Sequence, residues 1–138
     1  MTFIIAEIGV NHNNNLEYSK KLIDFCSSQD VDAVKFQTFK AENLAQKYTP
    51  KVLYQKNNKN DNENHFDMLK KLELSKKDHF ILKKYCEKKK IEFISTPYDV
   101  ESAKFLISLK LKTIKVASAD LTDFFLHDFL SKVKKKII

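Results

Sequence analysis

The sequence has no arginine and no tryptophan, a single glycine (Gly9), two prolines (Pro50 and Pro97) and two cysteines. Each scarcity excludes something. One glycine cannot build a glycine-rich phosphate cradle, so P-loop and dinucleotide fingerprints are ruled out. Cys26 and Cys86 fall inside helical apolar patterns, without metal-site spacing, and read as buried free thiols. No run of about 18 uncharged apolar residues argues for a membrane span. Met1 to Glu7 lack a basic stretch and meet an acid almost at once, so no secretory signal is expected. The expected setting is soluble and cytoplasmic, with no membrane partner. All 25 basic residues are lysine, against 18 acids, for a formal charge of +7. That excess invites a nucleic-acid reading. Arginine, however, is the usual bidentate reader of phosphates and guanine edges. Its absence, beside ten asparagines, points to a compositional bias, and no nucleic-acid partner is expected. A basic polyanion-binding protein remains the alternative from another functional class.

With 138 residues, 43% of them hydrophobic, the chain is one domain or part of one. Apolar runs and helical patterns alternate along it. Phe3–Ile8 is a short, nearly continuous apolar run, as expected of a strand buried on both faces. Asn13-Asn14-Asn15 offers an N-cap for a helix striped by Leu16, Leu22, Ile23 and Cys26. Ala33–Thr38 is a second strand. Ser75, with Asp78 three residues on, opens a helix carrying Phe80, Ile81, Leu82, Tyr85 and Cys86. Ile91–Thr96 is a third strand, closed by Pro97. Asp99 caps a helix with Ala103, Leu106 and Leu109, and Thr113–Ser118 is a fourth strand. Thr122 or Asp123 opens a last amphipathic helix with Phe125, Phe129 and Val133. The order β-α-β-α-β-α-β-α argues for parallel strands joined by right-handed crossovers. Residues 40–73 are too long for a simple connection. Within them, 56–64 contain no apolar residue and are expected to be mobile. Residues 50–55 and 65–74 read as short helices. The excursion is either a lid or a surface insertion.

Buried parallel strands are normally rich in Val, Ile and Leu, yet each strand here is polar toward its C-terminal end. Glu7 ends the first; Lys35 and Gln37 lie two apart in the second; Thr96 ends the third. Lys115 sits in the fourth, with Ser118 and Asp120 following. Period two sets Lys35 and Gln37 on one face and Val34 and Phe36 on the other; Lys115 likewise opposes Ile114 and Val116. An inward lysine costs several kcal/mol unless paired or neutralised. Two of them, with one carboxylate nearby, suggest a site built to receive an anion. The carboxyl ends of parallel strands are also where barrels and open α/β sheets bind substrates. The plain structural alternative is that the lysines snorkel to solvent or pair with Glu7 and Asp120. His65, His79 and His127 read as surface residues. His12 follows the first strand and alone can reach the site, but a lone histidine makes no metal site.

At these residues the sequence resembles the sialic acid synthase (N-acetylneuraminate synthase) family. Residues 4–13 (IIAEIGVNHN), 34–42 (VKFQTFKAE), 93–99 (FISTPYD) and 114–118 (IKVAS) are similar to its successive motifs, in order and at matching spacing, and 68–74 (MLKKLEL) matches a further stretch. The resemblance implies a (β/α)8 barrel that condenses phosphoenolpyruvate with N-acetylmannosamine or a related N-acetylated amino-hexose, releasing phosphate. A divalent metal, Mn or Mg, polarises the sugar aldehyde in that family. Carried onto this sequence, Lys35, Thr96, Lys115 and Ser118 would hold the phosphoenolpyruvate carboxylate and phosphate. Glu7 would lie beside the reacting carbons as the catalytic carboxylate. Gln37, Asp120, Asn11 and His12 would contact the sugar. The family usually has glycine where Asn14 and Ala119 stand; asparagine tolerates positive φ, whereas alanine at such a φ costs roughly 1–2 kcal/mol.

A complete barrel of this kind needs eight strands and about 200–250 residues. The expectation is therefore residues 1–138 as the N-terminal half of the barrel, truncated after the fourth (β/α) unit. The fifth strand would begin at Lys136-Ile137-Ile138. The family's metal-binding histidines lie on later strands, so no metal ligand is expected in this chain. Strands one and four would be left as open edges. Such a half would not catalyse alone and would need a complementary half-barrel chain or a second copy.

Overall fold

The computed structural model describes residues 2–51 and 63–138. Expectations for the polar stretch 56–64 and for a helix over 50–55 fall largely outside them. The elements in chain order are β1 (Ile5–Gly9), α1 (Leu16–Ser27), β2 (Ala33–Thr38), α2 (Ala41–Leu44), α3 (His65–Leu72), α4 (Lys76–Lys89), β3 (Glu92–Pro97), α5 (Val100–Ser108), β4 (Thr113–Ile114), a 3-10 turn (Ser118–Asp120), α6 (Phe124–Ser131) and β5 (Lys136–Ile137). The strands form one sheet in the order β1-β2-β3-β4-β5, every pair parallel. Sequential parallel neighbours linked by helices are the arrangement of a (β/α) barrel wall.

The helices start where short polar side chains can hold their free N–H groups. Asn15 accepts from Tyr18 N–H, Asn64 from Asp67, Ser75 from Asp78, Asp99 from Ser102 and Asp123 from Leu126. Endings are less ordinary. With one glycine available, α4 and α5 are closed by Lys90 (φ 59°) and Lys110 (φ 58°) in the left-handed region, and Asp30 (φ 53°) takes the same conformation after α1. Ile91 N–H then returns to the Cys86 carbonyl and Leu111 N–H to that of Leu106, the bonds that normally accompany a C-terminal glycine.

The helices cover one face of the sheet. Ile8, Val34, Phe36 and Phe93 point into a core with Ile23, Leu82, Cys86 and Leu106, while Ile114 and Val116 meet Ala103, Leu126 and Leu130 from α5 and α6. Cys86 is buried here, its thiol pushed up to about 12 by burial and by neighbouring Cys26, so both cysteines are free and Cys86 is an inert filler.

Four details differ from expectation. β1 starts at Ile5 because Ile4 N–H is taken by the Asp32 carboxylate at 2.7 Å, and it runs through Gly9. Only Thr113 and Ile114 count as β4, since the chain turns after Val116, yet Lys115 N–H still bonds the Ser95 carbonyl (3.2 Å) and Val116 N–H that of Ile138 (2.8 Å). β5 pairs with β4, so the open edges among the described residues are β1 and β5 rather than β1 and β4. Ala119 is not among the positive-φ residues; it sits in the 3-10 turn without strain, whereas Asn13 and Asn14 do take positive φ (50° and 53°).

Candidate functional site

With the helices against one face, period two leaves Glu7, Lys35, Gln37, Thr96 and Lys115 on the other. Register places them side by side: Glu7 opposite Lys35, Gln37 opposite Thr96, and Ser95 opposite Ile114, so that Lys115 follows next to Thr96. Lys35 is the centre of the row. Its side chain is 12% exposed, its Nζ lies 2.5 Å from Glu7 Oε2, and it donates to Thr96 Oγ1 at 3.1 Å. The Lys115 ammonium folds back onto the Val116 carbonyl. A cation beside an acid and a hydroxyl, with a second lysine one strand along, is a set of donors suited to an anion.

Gly9 makes the first of these contacts possible. A bulge between Glu7 and Gly9 shifts the pairing with β2, and Gly9 stands at φ +56°. A Cβ there would come within 3.0 Å of Glu7 Oε1 and 3.7 Å of Gln37 Nε2, so any side chain would displace the carboxylate as well as strain the backbone.

Ser118 and Asp120 lie beyond β4 in the 3-10 turn, Ser118 exposed and Asp120 half-buried. Asp120 Oδ2 is shielded from solvent and has no hydrogen-bond partner among the described residues, and burial, reinforced by Asp123, raises its pKa. Tyr98 was not singled out from the sequence. It is half-buried just past β3, edge-on to Phe39 at 6.1 Å, with its phenol raised by burial and then by the carboxylates of Asp120 and Glu7. Both acids thus lie near enough to Tyr98 to bear on its phenol. Glu73 was also missed. It is buried, and its Oε1 accepts from Ala41 N–H at 2.6 Å while Oε2 pairs with Lys40 at 2.9 Å. Burial pushes the carboxyl up, but these donors outweigh it and hold the pKa below the ordinary value. The knot fixes the turn leaving β2; its only sequence signal was the stretch 68–74.

His12 does not join the row. It is 1% exposed, accepts from Asn14 N–H through Nδ1 at 2.9 Å, and lies 5.9 Å from the Phe36 ring on the helix side. It pegs the loop that carries exposed Asn11 instead of facing the lysines. Burial, aided by His79, lowers its pKa to about 4, and burial lowers that of His79 as well. Both are thus neutral when folded, while an unfolded histidine titrates near 6.5. Above that pH neither state binds the protons and stability is unaffected; below it only the unfolded chain takes them up. Stability is therefore lost on acidification, by at most about 1.4 kcal/mol per pH unit for each histidine. A melting temperature that falls steadily from pH 7 to pH 5, before the carboxylates titrate, is the expected result; a flat profile would contradict it.

Among the described residues no group of three or more His, Cys, Asp or Glu side chains is placed to hold a metal ion, so the residues present do not fit one. Many lysines away from the row are neutralised locally, Lys20 by Glu17, Lys70 by Glu42, Lys89 by Asp24 and Lys104 by Glu101, which leaves less free positive surface than the composition suggests. No helix among the described residues is long and apolar enough to cross a membrane.

Known proteins carry the same pattern. The N,N'-diacetyllegionaminic acid synthase of Legionella pneumophila is 47% identical over 121 residues, covering 88% of this chain and 34% of its own length. The synthase of the same name from Campylobacter jejuni is 42% identical over 137 residues, covering 99% of this chain and 41% of its own. Among solved structures, an N-acetylneuraminic acid (sialic acid) synthetase from Leptospira borgpetersenii, in complex with citrate, superposes with a TM-score of 0.82 at 27% identity, over 98% of this chain and 42% of that one. The chain thus spans between a third and a half of the length of these relatives, and its α/β architecture is that of part of a barrel. The NeuB family model matches residues 22–138, more than three quarters of the chain, and on that match this protein belongs to the NeuB family.

Proposed function

We propose that this chain supplies the phosphoenolpyruvate-binding part of a synthase that joins phosphoenolpyruvate to an N-acetylated amino-hexose and releases phosphate. The observation that carries the reading is the Glu7–Lys35–Thr96 cluster at the carboxyl ends of adjacent parallel strands, with Lys115 next in the row. Lys35, Lys115, Thr96 and Ser118 hold the carboxylate and phosphate. C3 of phosphoenolpyruvate bonds to the open-chain aldehyde carbon, whose oxygen takes up a proton. Water adds at C2, and the tetrahedral intermediate expels phosphate by C–O cleavage to leave the 2-keto acid. Glu7 orients that water or the sugar. Gln37 and Asp120 contact the sugar, and the unpartnered Asp120 Oδ2 matches a hydroxyl or amide donor. Asn11 lies at the rim; His12 acts only through the loop it anchors. The names of the two bacterial relatives favour a diacetylated sugar acid as the product class.

A divalent Mn or Mg ion belongs to the same reading: it would polarise the aldehyde, and its histidine ligands would lie on later strands. Residues 1–138 form part of a site completed by further strands, from a longer chain, a complementary half or a second copy, in the cytoplasm. Calorimetric titration with phosphoenolpyruvate, paired with a phosphate-release assay containing sugar and Mn, tests both parts. Binding in the range of about 1 µM–1 mM without turnover is expected. A folded chain that fails to bind overturns the substrate assignment. Turnover by this chain alone overturns the incompleteness.

A further inference from the structure

We infer that His79, Thr38 and Ser95 form a buried clamp that sets the spacing of the β2 and β3 tips, so that Thr38 and His79 are positioning residues for the anion site. The inference rests on the reading of Lys35, Gln37 and Thr96 as substrate contacts, and it goes beyond that reading by assigning the helix side of the sheet a part in it.

The order of protons in this cluster is fixed by chemistry. His79 Nδ1 lies 2.9 Å from the Ser75 carbonyl, which can only accept, so Nδ1 carries the hydrogen. In the neutral ring Nε2 is then an acceptor, and Thr38 Oγ1, at 2.8 Å, donates to it. Having given its proton away, Thr38 Oγ1 accepts from Ser95 Oγ at 2.7 Å. A single direction, Ser95 to Thr38 to His79 to Ser75, satisfies every group. All three side chains are buried, and the imidazole is held edge-on between Phe93 (6.3 Å) and Phe105 (5.4 Å). Ser75 is also the N-cap of α4, so the chain runs from a helix start to the sheet.

The clamp stands at the last registered pair of β2 and β3, where Thr38 lies opposite Pro97. The Thr38–Ser95 hydroxyl pair adds a side-chain tie between the strands there, beside the ladder bond from Tyr98 N–H to the Thr38 carbonyl at 3.2 Å. Thr38 and Ser95 are the immediate neighbours of Gln37 and Thr96, whose side chains point the other way. The Ser95 carbonyl receives Lys115 N–H. Moving either hydroxyl therefore moves the backbone that aims Gln37, Thr96 and Lys115.

Thr38→Val keeps the shape but removes the donor to His79 and the acceptor for Ser95. Phosphoenolpyruvate affinity should fall about tenfold, as for loss of a supporting hydrogen bond behind a ligand, and Thr38→Ser should restore it. Leu82→Ala, in the core beneath α4, serves as the control: it lowers the melting temperature at least as much with affinity unchanged. Amide exchange at Tyr98 and Lys115 should also accelerate in Thr38→Val beyond the rest of the core. Wild-type affinity with uniform exchange in Thr38→Val, or an equal affinity loss in Leu82→Ala, overturns the clamp. If the parent chain binds no phosphoenolpyruvate, the substrate reading fails, and the exchange pattern alone decides the clamp.

Discussion

Lys35→Met is expected to weaken phosphoenolpyruvate binding by about 100-fold while leaving the melting temperature nearly unchanged. The ammonium is the hub of the row: it touches Glu7 Oε2 at 2.5 Å and Thr96 Oγ1 at 3.1 Å from a side chain that is 12% exposed. An anion that binds there exchanges hydration for a charge-assisted contact in a partly dehydrated groove, where such a bond is about twice as strong as a neutral one. Losing 100-fold corresponds to about 2.8 kcal/mol, at 1.4 kcal/mol per decade, within reach of one such contact and the ion pair that orders it. Stability behaves differently. The methionine stem fills the same space, and the partner left behind, Glu7, is half exposed and can turn to water. Removing one partner of an ion pair is costly when the other stays buried; Glu7 does not, so the cost is confined to the buried Thr96 hydroxyl that loses its donor, about 1 kcal/mol. Calorimetry and thermal melting on one sample separate the two effects. Loss of affinity together with a collapse of the melting temperature would mean that Lys35 is structural.

The largest effect on folding is expected from Phe36→Ala. Phe36 is fully buried, stacks on Phe93 with centroids 5.1 Å apart, and lies 5.9 Å from the His12 ring. Removing it deletes the contact between β2, β3 and the loop after β1 together, at about 3–5 kcal/mol for a core phenylalanine. Against total stabilities of about 5–15 kcal/mol, that is a large share, and the melting temperature should fall by on the order of 10–20 °C. Chemical denaturation should move its midpoint in the same direction. A loss below about 1 kcal/mol would imply that the core around β2 repacks, contrary to its close packing.

The alternation of apolar runs with capped helices made the parallel strands legible, because period, caps and turn residues each act locally. Asn15, Ser75 and Asp99 were readable as caps for that reason, and Lys35, Gln37 and Lys115 as inward polar residues from period two alone. Long-range placement was not. Nothing adjacent to His12 in the chain says that its ring will lie behind Phe36, and nothing near Glu73 announces that it will hold Ala41 N–H. Histidines read as surface residues can be core members, as His79 is, when a hydroxyl from a distant strand supplies the partner that burial demands. Tyr98 was hidden for a similar reason: its neighbours Glu7 and Asp120 arrive from β1 and from beyond β4, so only the assembled sheet brings the acids to it. The fifth strand at Lys136–Ile137 was expected from the resemblance alone; two residues are too few to announce a strand by pattern, and it is the pairing with β4 that makes it one.

The left-handed closures at Asp30, Lys90 and Lys110 precede β2, β3 and β4, at the opposite pole of the sheet from Lys35 and Thr96. A crossover that must turn sharply into the next strand dictates the backbone conformation whatever residue is on offer, and here side chains that dislike it have been pressed into service. Tension and chemistry are thereby kept at separate poles. The chain can be relaxed at the joints by substitution to glycine without disturbing the groove that the lysines face.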